Sequence, residues 1–110
     1  MERFVRGDIV VVTFPFSDLS LVKRRPAIVL AEAGGDDYIL SQITSQTVRD
    51  NLAIEISAAD FACGSLKKAS NVRPNRLFTA DRHLILYKAG ELKKEKIIEI
   101  LTAVLMLFAI

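Results

Sequence analysis

The sequence has one cysteine, Cys63, one histidine, His83, and no tryptophan. A lone cysteine closes no intramolecular disulfide, and with a single histidine beside it there is no set of soft ligands for a structural zinc site. The setting this implies is a reducing, cytoplasmic one. One histidine also excludes a two-histidine acid–base pair within one chain. No glycine-rich phosphate loop is present, which argues against nucleotide hydrolysis. No serine sits in a glycine elbow, and Cys63 has no histidine near it in sequence, so a covalent nucleophile is a poor reading. The first six residues, Met1 to Arg6, lack an apolar signal core, and the one long apolar run, 100–110, is interrupted by Thr102 and is too short to span a bilayer. Neither export nor a membrane partner is expected.

What is present fits one folded unit. With 110 residues, 51% of them hydrophobic, the chain is expected to form a single domain over 1–110. The net charge of +2 is mild, so any affinity for nucleic acid has to come from local clusters of Arg and Lys. Residues 8–14 are β-branched and apolar on both faces, as in a strand buried inside a barrel. A polar loop is expected over 15–25 and a second strand over 26–31, with Pro26 as its first residue. Gly34 and Gly35 supply a hairpin turn, and 38–44 alternates as a third strand. Further strands are expected at 52–56, in the extended 67–79 and at 84–87, with a capping-box turn at 57–60 ahead of Cys63 and Gly64. Six short strands without long crossovers imply a mainly β, α+β fold built on an antiparallel barrel. Beyond Gly90 the period changes: Ile97, Ile98, Leu101, Val104, Leu105 and Phe108 mark an amphipathic C-terminal helix. Ile100, Ala103, Met106 and Leu107 widen its apolar stripe beyond what one small barrel needs, which suggests a partner surface.

The polar residues between the strands carry the chemistry. Arg25 precedes a rigid strand anchored by Pro26, and its guanidinium can form two parallel hydrogen bonds to a phosphate or stand as a solvated cation at a strand edge. At a phosphate it would stabilise the charge that develops when a ribose 2′-hydroxyl attacks its own phosphodiester. Thr44 and Ser45 at the end of the third strand offer hydroxyl donors, and Gln46 offers an amide for a base edge. Lys23 and Arg24 extend the basic cluster of Arg25. Arg73 and Arg76, flanking Pro74 and Asn75, suit a nucleic-acid backbone or base as well as they suit a solvated face. Asp18 lies in the loop leading to Arg25, where it either caps a turn or orients and deprotonates a hydroxyl. His83 reads as an edge residue without a partner visible in sequence.

Taken together, Gly7-Asp8-Ile9-Val10, Phe14-Pro15-Phe16-Ser17-Asp18-Leu19-Ser20, Arg25-Pro26-Ala27-Ile28-Val29-Leu30 and Ile43-Thr44-Ser45-Gln46 resemble the MazF/PemK toxins of toxin-antitoxin modules. The likeness runs on through Val72-Arg73-Pro74-Asn75-Arg76-Leu77-Phe78-Thr79 and the terminal helix. It implies an SH3-like barrel, a homodimer, and an endoribonuclease that needs neither metal nor cofactor. Such enzymes cut single-stranded mRNA to a 2′,3′-cyclic phosphate and a 5′-hydroxyl. Arg25 falls on the family's catalytic arginine, Thr44 on its catalytic threonine, and Arg73 on an arginine used by the PemK branch. That branch has an acidic residue at the position of Asn75, and a loop histidine with no counterpart between Pro15 and Arg25. Asp18 is the substitute candidate for the base; the alternative is a 2′-hydroxyl activated mainly by orientation. The resemblance also implies a cognate antitoxin laying an acidic segment over Lys23, Arg24, Arg25 and Arg73. Two other outcomes fit the same scaffold: a non-enzymatic gyrase inhibitor like the CcdB toxins, and a degenerate member that only binds.

Overall fold

Alternate residues of the first strand, β1 (Asp8–Pro15), are buried on both sides: Val10 and Val12 on one, Ile9 and Val11 on the other. A strand apolar on both faces needs cover above and below, and the rest of the chain provides it. The computed structural model describes residues 3–15 and 22–109. After β1 come β2 (Val22–Glu32), β3 (Asp37–Thr44), β4 (Ile54–Ile56), β5 (Phe61–Gly64), β6 (Ser70–Asp81), β7 (Ile85–Leu92) and the helix α1 (Lys94–Met106). They form one antiparallel sheet in the order β4-β6-β3-β2-β1-β7-β5. The extents of 35 × 33 × 32 Å are nearly equal, so the sheet curls rather than lying flat.

The curl encloses a cluster of Phe4, Val10, Val12, Ala27, Val29, Tyr38, Leu40, Ala80 and Ile85. The second cluster joins Ile9, Ile28, Leu30, Ile43, Val72 and Leu92 to Ile100 of α1, with Ile97, Leu101 and Val104 packed beside it. The helix therefore seats through Ile97, Ile100, Leu101 and Val104. Ile98, Leu105 and Phe108, expected on the same stripe, are exposed. The seven-residue offset in the expected pattern matched two faces, and only contact with the sheet selects one.

Several boundaries differ from the sequence expectation. β2 begins at Val22, so Lys23, Arg24 and Arg25 lie on a strand rather than in a loop. The β1–β2 ladder continues through Phe14 paired with Lys23 to Pro15 paired with Val22, and long cationic side chains are tolerated at this open end. Pro26 is consequently inside β2. It stands one residue past the last pair with β3, Ala27 with Gln42, so no ladder bond to β3 is lost at that position. A seventh strand, β5, occupies 61–64, placing Cys63 on a strand and not in a turn; four residues are too few for a periodic signal. The last strand, expected over 84–87, continues as β7 to Leu92 against β1 and β5, with Gly90 paired inside it. The capping-box turn at Ser57 does form, with the Asp60 carboxylate accepting the Ser57 N–H at 2.8 Å. The hairpin glycines adopt φ +95° at Gly34 and +56° at Gly35.

Candidate functional site

Strand register brings the sequence candidates together. Val12 of β1 pairs with Arg25, and Thr44 pairs with Asn71 of β6. The β2–β3 ladder pairs Ile28 with Ser41 and ends at Ala27 with Gln42, and Arg25 and Thr44 each lie two residues beyond that last pair, at the same end of the two strands. The pairs Val12–Arg25 and Thr44–Asn71 therefore stand at one end of the sheet. Arg25 shares its face with Ala27 and Val29, and Thr44 shares its face with Leu40 and Gln42, so both side chains stand on the face of the first cluster.

The Nε of Arg25 is buried and has no hydrogen-bond partner among the described residues. A buried guanidinium N–H without an acceptor is costly, and an anionic ligand would supply one. The Thr44 hydroxyl accepts the N–H of Gln46 at 3.1 Å. That bond uses an acceptor site of the oxygen and leaves its O–H to donate elsewhere.

The same face carries Arg73. Between the pairs Ile43–Val72 and Ser41–Leu77, β3 advances by one residue, Gln42, while β6 advances through Arg73, Pro74, Asn75 and Arg76. The excess forms a bulge. It is pinned by the Ser41 hydroxyl, which donates to the Arg73 carbonyl at 2.5 Å, and by the fully buried Pro74. Asn75 and Arg76 are exposed on it. Arg73 is half-buried and donates through Nη2 to Asp50 at 3.0 Å, while its buried Nε, like that of Arg25, has no partner among the described residues.

Asp50 is the residue that sequence reasoning missed. One carboxylate oxygen accepts from Arg73 and the other accepts the Leu52 N–H at 3.1 Å, tying the segment after β3 to the bulge in β6. The Arg73 hydrogen bond, aided by those from the Leu52 and Ala53 backbone, holds its carboxyl below the usual carboxylate range. The signal available in sequence was the turn-forming pair Asp50-Asn51 ahead of a strand.

Other candidates are distributed differently. Lys23 falls on the face of Arg25 by alternation, whereas Arg24 turns to the opposite face and lines a groove with Val11, Pro26 and Tyr87. Ser45 and Gln46 are exposed in the bend after β3, where the Gln46 carbonyl accepts from the Asn71 amide at 3.5 Å. Asp18 lies outside the described residues. His83 has a partner after all: it follows Asp81 in a 3₁₀ turn, Arg82–Leu84, with its Nδ1 2.6 Å from the Asp81 carboxylate. The His83 backbone N–H, then its ring, hold the Asp81 carboxyl below the usual range. Asp81 pairs with Asp37 at the far end of β3, which puts His83 roughly 24 Å along the strand from Thr44. Among the described residues no three His, Cys, Asp or Glu side chains cluster as metal ligands would, and no helix is long and apolar enough to cross a membrane.

The model of a family described as the PemK-like, MazF-like toxins of type II toxin-antitoxin systems matches residues 5–108. The chain belongs to that family. No curated protein matches this toxin by sequence. Its fold is shared with several solved structures. An endoribonuclease from a mycobacterial species, in complex with its cognate antitoxin, superposes with a TM-score of 0.76 at 12% identity over 96% of this chain and 95% of that one. The Mycobacterium tuberculosis toxin MazF-mt6 gives 0.72 at 15% identity over 92% and 95%. A MazE–MazF structure from Deinococcus radiodurans gives 0.75 at 18% identity over 94% of each chain.

Proposed function

We propose that this toxin is an endoribonuclease acting in the cytoplasm on single-stranded mRNA, with Arg25 and Thr44 gripping the scissile phosphate. The observation that carries the reading is their convergence on one face of β2 and β3, together with the buried Nε of Arg25, which has no partner among the described residues. The ribose 2′-oxygen attacks phosphorus, the bond to the 5′-oxygen breaks, and the products are a 2′,3′-cyclic phosphate and a 5′-hydroxyl. Arg25 neutralises charge on the non-bridging oxygens at the pentacovalent stage, and the Thr44 O–H donates to one of them. The 2′-hydroxyl proton passes to Asp18, and the departing 5′-oxygen takes up a proton from water. Asp18 belongs to the segment joining Pro15 to Val22, whose ends are paired three residues from Arg25. No described residue is assigned to deprotonate the 2′-hydroxyl.

Arg73, oriented by Asp50, holds an adjacent phosphate. Lys23, Ser45, Gln46, Asn75 and Arg76 border the same end of the sheet and are assigned to the flanking nucleotides. The toxin acts as a homodimer through the exposed apolar end of α1, with Leu105, Met106 and Phe108. Its partner is a cognate antitoxin, in keeping with the mycobacterial and Deinococcus structures that hold toxin and antitoxin together.

Incubation of the purified protein with single-stranded RNA in EDTA tests the reading. Fragments with 5′-hydroxyl ends are expected, and Arg25→Ala is expected to cost about 10² to 10³ in rate. Intact RNA after incubation with folded wild-type protein would overturn it. A gyrase inhibitor would instead keep its effect on gyrase in the Arg25→Ala variant.

A further inference from the structure

Three neighbouring strands set Thr44, Asn71 and Glu55 side by side. Thr44 of β3 pairs with Asn71 of β6, and on its other edge Asn71 pairs with Glu55 of β4. Residues directly opposite in an antiparallel ladder project to the same face. The flanking Ile43, Val72 and Ile56 belong to the cluster under α1, so Thr44, Asn71 and Glu55 project away from the helix, on the face of Arg25. At the usual strand spacing the row carries Asn71 about 5 Å and Glu55 about 10 Å from Thr44.

Both polar groups beyond Thr44 keep hydrogen-bonding capacity. The Asn71 amide donates one N–H to the Gln46 carbonyl at 3.5 Å, which leaves its second N–H without a partner among the described residues. Glu55 is exposed, and its carboxylate forms no ion pair among the described residues. Lys96 approaches its carbonyl instead, at 3.4 Å. Asp50, by contrast, is already engaged by Arg73. A free carboxylate on a face that holds phosphates weakens binding by like-charge repulsion unless a donor of the ligand lies against it. The donors RNA has to offer at that distance from a phosphate are on its bases, which splay out of a single strand.

We propose that Asn71 and Glu55 read a guanine beside the scissile linkage, an inference that rests on the nuclease reading and names the base it favours. The two oxygens of Glu55 accept from N1–H and N2–H of the Watson–Crick edge, and the second amide N–H of Asn71 donates to O6. Guanine alone presents two adjacent donors there. Adenine and cytosine set a ring acceptor beside their one amino group, and uracil flanks its N3–H with two carbonyls. Each of the three therefore turns a lone pair toward the carboxylate, and that repulsion rejects it.

The probe is a fluorescein-labelled deoxyuridylate heptamer whose central base is uracil, guanine, adenine, cytosine or hypoxanthine. Lacking 2′-hydroxyls, these oligomers are bound and not cleaved. They are titrated with the whole protein at one salt concentration and followed by fluorescence anisotropy. The guanine oligomer is expected to bind about tenfold tighter than the all-uracil one. Hypoxanthine, which lacks the N2 amino group, is expected to lose most of that margin. Glu55→Gln is expected to bring the guanine and all-uracil oligomers within about twofold of each other, the first weakened and the second tightened as repulsion is relieved. Arg25→Ala is expected to weaken every oligomer and keep their order.

Absence of binding or equal affinities in the wild type would overturn the proposal, as would a guanine preference that survives Glu55→Gln. An equal gain for every oligomer in Glu55→Gln would make Glu55 a solvated charge of an edge strand, and would also overturn it. Unmodified RNA with the same central bases separates this proposal from the nuclease reading. Cleavage without base preference overturns the proposal alone, whereas guanine-selective binding with the RNA left intact supports it and overturns the nuclease.

Discussion

At the scale of single residues, the pair Asp50 and Arg73 decides how the second arginine is presented. A depressed carboxylate pKa means that Asp50 contributes stability at pH above its unfolded value, close to 3.8, and that this contribution is lost as pH falls through the lower folded value. The pair therefore persists across neutral pH and breaks only in strong acid. In an NMR titration the Asp50 carboxyl carbon is expected to show a midpoint below 3.8, returning toward that value in Arg73→Gln. Asp50→Asn keeps an oxygen for the Leu52 N–H but loses the charge, so its effect on RNA cleavage should appear mainly in KM, with protein stability little changed. His83 makes a contrasting case. It is exposed, paired with Asp81 and a strand's length from Thr44. His83→Ala is expected to leave cleavage within twofold of wild type, and the pH–rate profile to lack the inflection near pH 6.5 that a histidine base would give. Arg25 and Thr44 were legible as candidates in the sequence, because an Arg-Pro before an apolar run and a Thr-Ser-Gln after one are local patterns. Asp50 was not, since its partner is a residue 23 positions away.

At the scale of elements, α1 reports how far periodicity reaches. Its apolar residues cover more of its circumference than the sheet can bury, so pattern alone leaves the seated face ambiguous. Ile100 is completely buried and Ile98 is 53% exposed. Ile100→Ala is expected to cost about 2–5 kcal/mol in denaturant unfolding, while Ile98→Ala should fall within about 0.5 kcal/mol in dilute monomer. Gly7 fixes where the helix sits against the start of β1. Its φ is +97°, its carbonyl accepts the Leu92 N–H at 3.1 Å, and a Cβ there would stand 2.3 Å from the Ile97 side chain. Gly7→Ala is thus expected to lower the melting temperature, through strain and the displaced Ile97 together. The strands were read correctly where they run for several residues, as in β1 and β3. The start of β2 was missed because its first residues are cationic, and their strand state comes from pairing with Thr13 and Phe14 rather than from propensity.

At the scale of the whole molecule, a net charge of +2 gives little long-range attraction for RNA, so the proposed function places affinity on the few cations gathered on one face. If Arg25, Arg73 and Lys23 each engage a phosphate, the logarithm of RNA affinity should fall with the logarithm of salt concentration with a slope of about −2, and Arg73→Gln should reduce that slope by about 0.7. A flat salt dependence in filter binding would contradict the assignment. The division of the triplet 23–25 between two faces matters here: strand alternation sends Arg24 away from Arg25, so a run of three cations in sequence is not one patch in space.

The amino-acid order by itself determined the β-rich class, the terminal helix and the glycine hairpin, and it marked Arg25 and Thr44 as candidates, because each depends on side chains close together along the chain. Tertiary structure alone decided which cation faces which side, that Asp50 holds Arg73, which stripe of α1 is buried and where β5 pairs with β7. Those outcomes depend on the register of strands distant in sequence, and register is set by the mutual fit of two buried sheet faces rather than by any one segment.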